Sequence, residues 1–154
     1  MKASLFICLL LTFGAFAKGE NTPELIETLK YIAENEIETS VPLTQFYWNL
    51  ASAYDLGDGV LEDKKEAYKW YRKLAESGDV RVQYVLGGGY LFGYGLIEDK
   101  VQAYAWFNIS AANGYETSKE YKTLAAKGMT MEQVAEAQKI SREMIKANPK
   151  LIGD

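Results

Sequence analysis

Hydrophobic and polar positions alternate along most of this chain with the spacing of helices. Phe46, Leu50, Ala51 and Tyr54 stand at i, i+4, i+5 and i+8, one face of an α-helix, and Val82, Leu86, Gly87 and Tyr90 repeat that face. A second stripe follows the first, built from Ala67, Trp70 or Tyr71, Leu74 and Ala75, and its alanines permit close approach of a neighbouring helix. Upstream, Thr22-Pro23 reads as N-cap and first helical position. The helix it opens carries the stripe Leu25, Ile26, Leu29, Ile32, Ala33 and Ile37, and Ser40-Val41-Pro42 ends it. Downstream, Val134, Ala137, Ile140, Met144 and Ile145 form the buried side of a helix starting at Met131, with Pro149 beyond its end. The pattern predicts an all-α chain.

A longer period overlies the helical one. Leu50, Tyr54, Gly57, Gly59, Asp63, Ala67, Tyr68, Trp70, Ala75 and Gly78 each recur as the same residue 36 positions later, from Leu86 through Gly114. Ten identities in one register, tryptophan and paired glycines among them, mark an internal repeat. Each unit reads as a helical hairpin. Gly57-Asp58-Gly59 and Gly93-Tyr94-Gly95 end the first helices, where positive φ is needed. Asp63 and Asp99 then cap the second helices, with Glu66 and Gln102 placed to complete capping boxes. Gly78 ends the second helix and Asp79 caps the next; Thr117 with Glu120 and Thr130 with Gln133 predict two further boxes. A phosphate loop is the competing reading of the glycine pairs, but no Lys-Ser/Thr follows them and no strand precedes them.

The string Leu50-Ala51-x-Ala53-Tyr54-x-x-Gly57-x-Gly59-Val60-x-x-Asp63, then Ala67-x-x-Trp70-Tyr71 and Ala75-x-x-Gly78, resembles the Sel1-like repeat family, as does its second copy through Gly114. The segment from Leu124-Ala125 to Gln138 is similar to the closing segment of many exported bacterial members. The resemblance implies a short α/α solenoid of tetratricopeptide-like hairpins and a role as a protein–protein interaction scaffold or adaptor. The organisation expected is an export signal at 1–17, an N-terminal capping helix and linker at 18–42, repeats at 43–78 and 79–114, and a C-terminal capping hairpin at 115–154. Terminal helices of this kind cover the open faces of a short repeat stack.

Composition narrows the chemistry. With 48% apolar and 25% charged residues among 154, the chain is that of a globular protein. It has no histidine, so it has no imidazole base, no Ser-His-Asp triad and no histidine metal ligand. A formal charge of −4 argues against a large nucleic-acid footprint. Lys2, the apolar run from Leu5 to Phe16 and the box Ala15-Phe16-Ala17 read as a signal peptide cleaved after Ala17; the run is too short to span a membrane. Cleavage removes Cys8, the single cysteine, and leaves a product with no disulfide, thiolate or cysteine metal site, destined for the periplasm or secretion without stable membrane insertion.

A helical repeat offers a face built from its first helices. Opposite the core stripe lie Gln45, Trp48, Asn49, Ser52 and Leu56, with Arg81, Tyr84, Val85, Gly88 and Phe92 as their repeat partners. Trp48, Asn49, Ser52, Arg81, Tyr84, Val85 and Gly88 are therefore the expected groove for a protein or peptide partner: aromatics as anchors, Asn49 and Arg81 as hydrogen-bonding groups, Gly88 as a gap. The competing role for Trp48 and Tyr84 is packing between units. No cofactor, metal or nucleic acid is expected. Asp63 and Asp99 are the carboxylate pair a glycan hydrolase would need, but capping already accounts for both, and no Ser-x-x-Lys occurs. The expectation is a non-catalytic adaptor of the bacterial envelope. The alternatives are an inhibitor or immunity-type binder, a host-interaction factor, and a carboxylate-based cell-wall hydrolase.

Overall fold

A computed structural model describes residues 21–153. The export signal expected at 1–17 lies outside the described residues. Those described form seven α-helices and one 3-10 turn, with no strand among them. They fall into two compact units, one up to Ala67 and one from Tyr68.

The first unit pairs α1 (Pro23–Glu34) with α2 (Leu43–Leu56) and ends in the opening turn of α3 (Lys64–Glu76). Thr22 caps α1 by accepting from the Leu25 N–H at 3.3 Å, and Pro23 sits in the first turn, where no donor is missed. Leu25, Ile26, Leu29, Ile32 and Ala33 are buried. The helix stops at Glu34, earlier than the stripe predicts, because Glu36 takes a positive φ of 47°. Ile37 lies beyond the helix, half-buried, with its N–H on the Ile32 carbonyl. On α2, Phe46, Tyr47, Leu50, Ala51 and Ala53 face inward.

The second unit holds the rest of α3, then α4 (Val80–Phe92), α5 (Lys100–Ala112), α6 (Glu116–Ala126), α7 (Met131–Ala147) and the 3-10 turn Pro149–Leu151. Helix α5 is its centre and packs on α4, α6 and α7. Ala103, Tyr104, Ala105, Trp106, Phe107, Ile109 and Ser110 of α5 are all buried, so the helix is apolar on nearly every side, as one enclosed by neighbours must be. On α3, Trp70, Leu74 and Ala75 are buried and Tyr71 is half-buried, so tryptophan is the residue of that pair turned furthest inward. The Arg72 guanidinium hydrogen-bonds the Tyr90 hydroxyl and lies 5.9 Å from the Trp106 ring centre. Helix α7 contributes Ala137 and Ser141 to the interior, while Val134, Ile140, Met144 and Ile145 remain half-buried.

The repeat extends to individual hydrogen bonds. Gly57 and Gly93 both end their helices at φ 70°. Asp63 N–H donates to the Tyr54 carbonyl at 2.9 Å, and Asp99 N–H to the Tyr90 carbonyl at 2.9 Å. These closures correct the predicted capping boxes at Asp63 and Asp99. Each aspartate does cap its helix, accepting from Glu66 N–H or from Val101 and Gln102 N–H. The cap residue's own N–H is already taken by the preceding helix, leaving nothing for Glu66 or Gln102 to bond there. The box at Thr117 is also corrected, since α6 begins at Glu116 and Thr117 lies inside it. The box at Thr130 forms in full, and Asp79 caps α4 as expected.

Three consecutive glycines of α4 have different surroundings. A Cβ on Gly87 would lie 2.7 Å from the Phe107 ring, and one on Gly89 2.0 Å from the Tyr68 ring; one on Gly88 meets nothing within 4 Å. Alanine is favoured over glycine in a helix by about 1 kcal/mol, whereas forcing a methyl into a packed core costs roughly 1–3 kcal/mol. Gly89→Ala and Gly87→Ala should therefore lower the stability measured by urea unfolding, and Gly88→Ala should raise it by about 0.5–1 kcal/mol. Equal effects at all three positions would contradict this packing.

Candidate interaction surface

In the first unit the expected surface residues share one side of α2. Trp48 is 47% exposed, and Asn49 and Ser52 are half-buried. Asn49 Oδ1 accepts from Gln45 Nε2 at 3.3 Å, while its Nδ2 is shielded from solvent and makes no hydrogen bond among the described residues. Leu56, one turn beyond Ser52, is exposed.

In the second unit Arg81 is exposed near the start of α4, Tyr84 and Val85 are half-buried, and Gly88 opens onto empty space. Tyr84 is built into a group of rings. Its centroid lies 5.1 Å from Tyr121 in an edge-to-face pair, 5.2 Å from Tyr115 and 5.7 Å from Phe107. Phe107 is the fully buried floor of this group. Phe92, two turns along the same face of α4 as Tyr84 and Gly88, continues it, 6.4 Å from Tyr121 and 5.8 Å from Tyr94. The result is a band of rings, Tyr115–Tyr84–Tyr121–Phe92–Tyr94, from a packed end to one where Phe92 and Tyr94 are 49% and 61% exposed. Pairs of this geometry contribute about 0.5–1.5 kcal/mol each beyond area burial, which favours this arrangement of the rings without a partner.

Sequence reasoning located Tyr84, Gly88 and Phe92 by helical phase but did not select Tyr94, Tyr115 or Tyr121 for the surface. Tyr94 sits between the turn glycines, and the other two lie outside the aligned repeat positions. The available signal was the phase of α6, where Ser118, Tyr121 and Ala125 share an inward face.

Burial pushes the Tyr84 phenol up to about 12, assisted by its hydrogen bond with Tyr121 and by the negative charge of Glu120. On the acidic side, Asp63 and Asp99 are engaged as caps. Glu132 is held below the ordinary carboxylate range by its own backbone N–H and the Thr130 hydroxyl, the direction opposite to that of a general acid. Among the described residues no cluster of three or more acidic, histidine or cysteine side chains converges as a metal site would require.

The Sel1 repeat family matches residues 44–79 and 80–115. Among solved structures, the chain is similar to a protective antigen present in uropathogenic Escherichia coli strains that displays an SLR fold. The identity is 27% and the TM-score 0.69, over 96% of this chain and 31% of the antigen. It thus spans about a third of that protein's length. It is also similar to a Sel1 repeat protein from Oxalobacter formigenes, at 28% identity and TM-score 0.56, over 77% of this chain and 87% of that one. No curated protein matches the sequence.

A tyrosine that keeps its proton in the folded chain up to about 12, against about 10 when unfolded, stabilises the fold fully below pH 10. That contribution is lost as pH rises from about 10 to 12, because the unfolded chain releases the proton first. Tyr84→Phe should remove one late-titrating phenol from the ultraviolet phenolate titration and flatten the loss of stability across that window. An unchanged titration would mean that Tyr84 is not the shielded group.

Proposed function

Because this chain is a Sel1-repeat protein, a fold typical of protein–protein interaction scaffolds, we propose that it is a non-catalytic adaptor that holds a protein partner by an extended segment. The observation that carries this reading is the ring band of the second unit. Mutually packed, partly exposed aromatics beside the open space at Gly88 are suited to a binding hot spot, offering ring anchors and room for an incoming side chain. Arg81, Tyr84, Val85 and Gly88 serve this surface together with Phe92, Tyr94 and Tyr121. Trp48, Asn49 and Ser52 present the equivalent face of the first repeat. The absence of histidine and the capping roles of Asp63 and Asp99 support a function without catalysis.

The place of action we propose is the bacterial envelope or beyond it, after cleavage at Ala17. Lys2, the apolar run and the Ala15-Phe16-Ala17 box support it. The similarity to a protective antigen favours, as a second reading, a partner on the host side. Sequencing the amino terminus of protein recovered from a periplasmic or culture fraction should begin at Lys18; a retained Met1 would rule out this processing.

Panning a random peptide library against the protein should enrich a consensus sequence. Phe92→Ala should weaken its binding by about tenfold, the scale of a hot-spot truncation. Gly88→Leu, which fills that open space, should abolish binding without loss of helicity by circular dichroism. A consensus insensitive to both substitutions, or none at all, would move the function elsewhere.

A further inference from the structure

The six described residues after α7, 148–153, are held in a way the repeat does not require. Leu151 is buried, 2% exposed, between exposed Lys150 and half-buried Ile152. Its carbonyl accepts from Gln83 Nε2 at 2.9 Å and from Asn113 Nδ2 at 2.6 Å. Two residues on, the Gly153 N–H donates to Asn113 Oδ1 at 3.1 Å. Gln83 is fully buried, and its own Oε1 accepts from Asn113 Nδ2 at 2.9 Å, which fixes the orientation of both amides. Upstream, Asn148 Nδ2 donates to the Glu76 carbonyl at 2.7 Å. Gly78 lets the segment in: a Cβ there would stand 2.5 Å from the Lys150 carbonyl.

Pro149–Leu151 form a 3-10 turn, and side-chain amides bonding main-chain groups at its end, with one socket for an apolar side chain, are elements by which a protein holds a peptide. The amides are also departures from the repeat. Thirty-six positions before Gln83 and Asn113 stand Tyr47 and Ser77, so neither amide is part of the pattern that builds a hairpin. The hold on the segment is small: one leucine and four side-chain hydrogen bonds, set against the ordering of six residues. Segments anchored so lightly open without unfolding the domain beneath them.

We propose that Gln83 and Asn113 form a peptide-binding cradle for a leucine-bearing segment folded in a 3-10 turn, and that residues 148–153 occupy it as a releasable latch. When the latch opens, the paired amides and the leucine socket are left facing water and accept a leucine-bearing peptide of the same pattern from outside. The cradle shares no residue with the ring band, so it stands or falls apart from the adaptor reading.

The test uses the full chain and a fluorescent peptide of the sequence at 147–153. Leu151→Ala loosens the chain's own segment, so that chain should bind the peptide at least about tenfold more tightly than the unaltered chain, since apparent affinity scales with the fraction of open cradles. Adding Asn113→Ala should return binding to the unaltered level. Equal binding by both chains, or no binding by a Leu151→Ala chain of native helicity, overturns the proposal. Should Leu151→Ala fail to fold, amide exchange of the unaltered chain decides. The Leu151, Ile152 and Gly153 amides should exchange at least about tenfold faster than those of Trp106 and Phe107. Equal protection would mean that the segment leaves only by global unfolding and would overturn the latch.

Discussion

The enclosure of α5 is the constraint on which the second unit depends. Trp106, Phe107 and Ile109 have no solvent exposure, and helices on three sides make that possible. Such rings need space, and α4 supplies it by carrying no side chain at Gly87, where the Phe107 ring stands in place of a Cβ, or at Gly89, where the Tyr68 ring does. Two glycines inside a helix weaken it locally, and the large apolar area they admit offsets that cost. The same floor then carries the aromatic surface, because Phe107 supports Tyr84 and Tyr121 from beneath. Core and surface are therefore one stack of rings rather than two features.

Much of the fold was legible because the repeat carries its own instructions. Positive-φ glycines, capping aspartates and the inward tryptophans fall at fixed offsets, and each offset corresponds to a hydrogen bond or buried face seen twice. Expectations failed where a local motif competed with a contact invisible to local reading. Glu66 and Gln102 stand at capping-box positions, yet the N–H they would bond is taken by the carbonyl of Tyr54 or Tyr90 in the preceding helix. Ile37 continues an apolar stripe that the backbone abandons at Glu36.

The candidate surface was half legible, for the same reason. Helical phase places Tyr84, Gly88 and Phe92 on one side of α4, but phase within a single helix does not reveal that α6 brings Tyr121 edge-on to Tyr84. Nor does any periodicity announce that Gln83, on the inward side of α4, bonds a carbonyl 68 residues away. A repeat protein conserves its scaffold through sameness from unit to unit. What is particular to this chain lies where the units differ, at Gln83 against Tyr47, Asn113 against Ser77 and Tyr84 against Trp48.

The placement of the three tryptophans gives the molecule internal optical reporters. Trp48 in the first unit is 47% exposed, whereas Trp70 and Trp106 in the second are almost wholly enclosed. A water-soluble collisional quencher therefore reaches Trp48 first, and what emission survives comes from the second unit. Each half can then be watched melting separately in a single unlabelled sample.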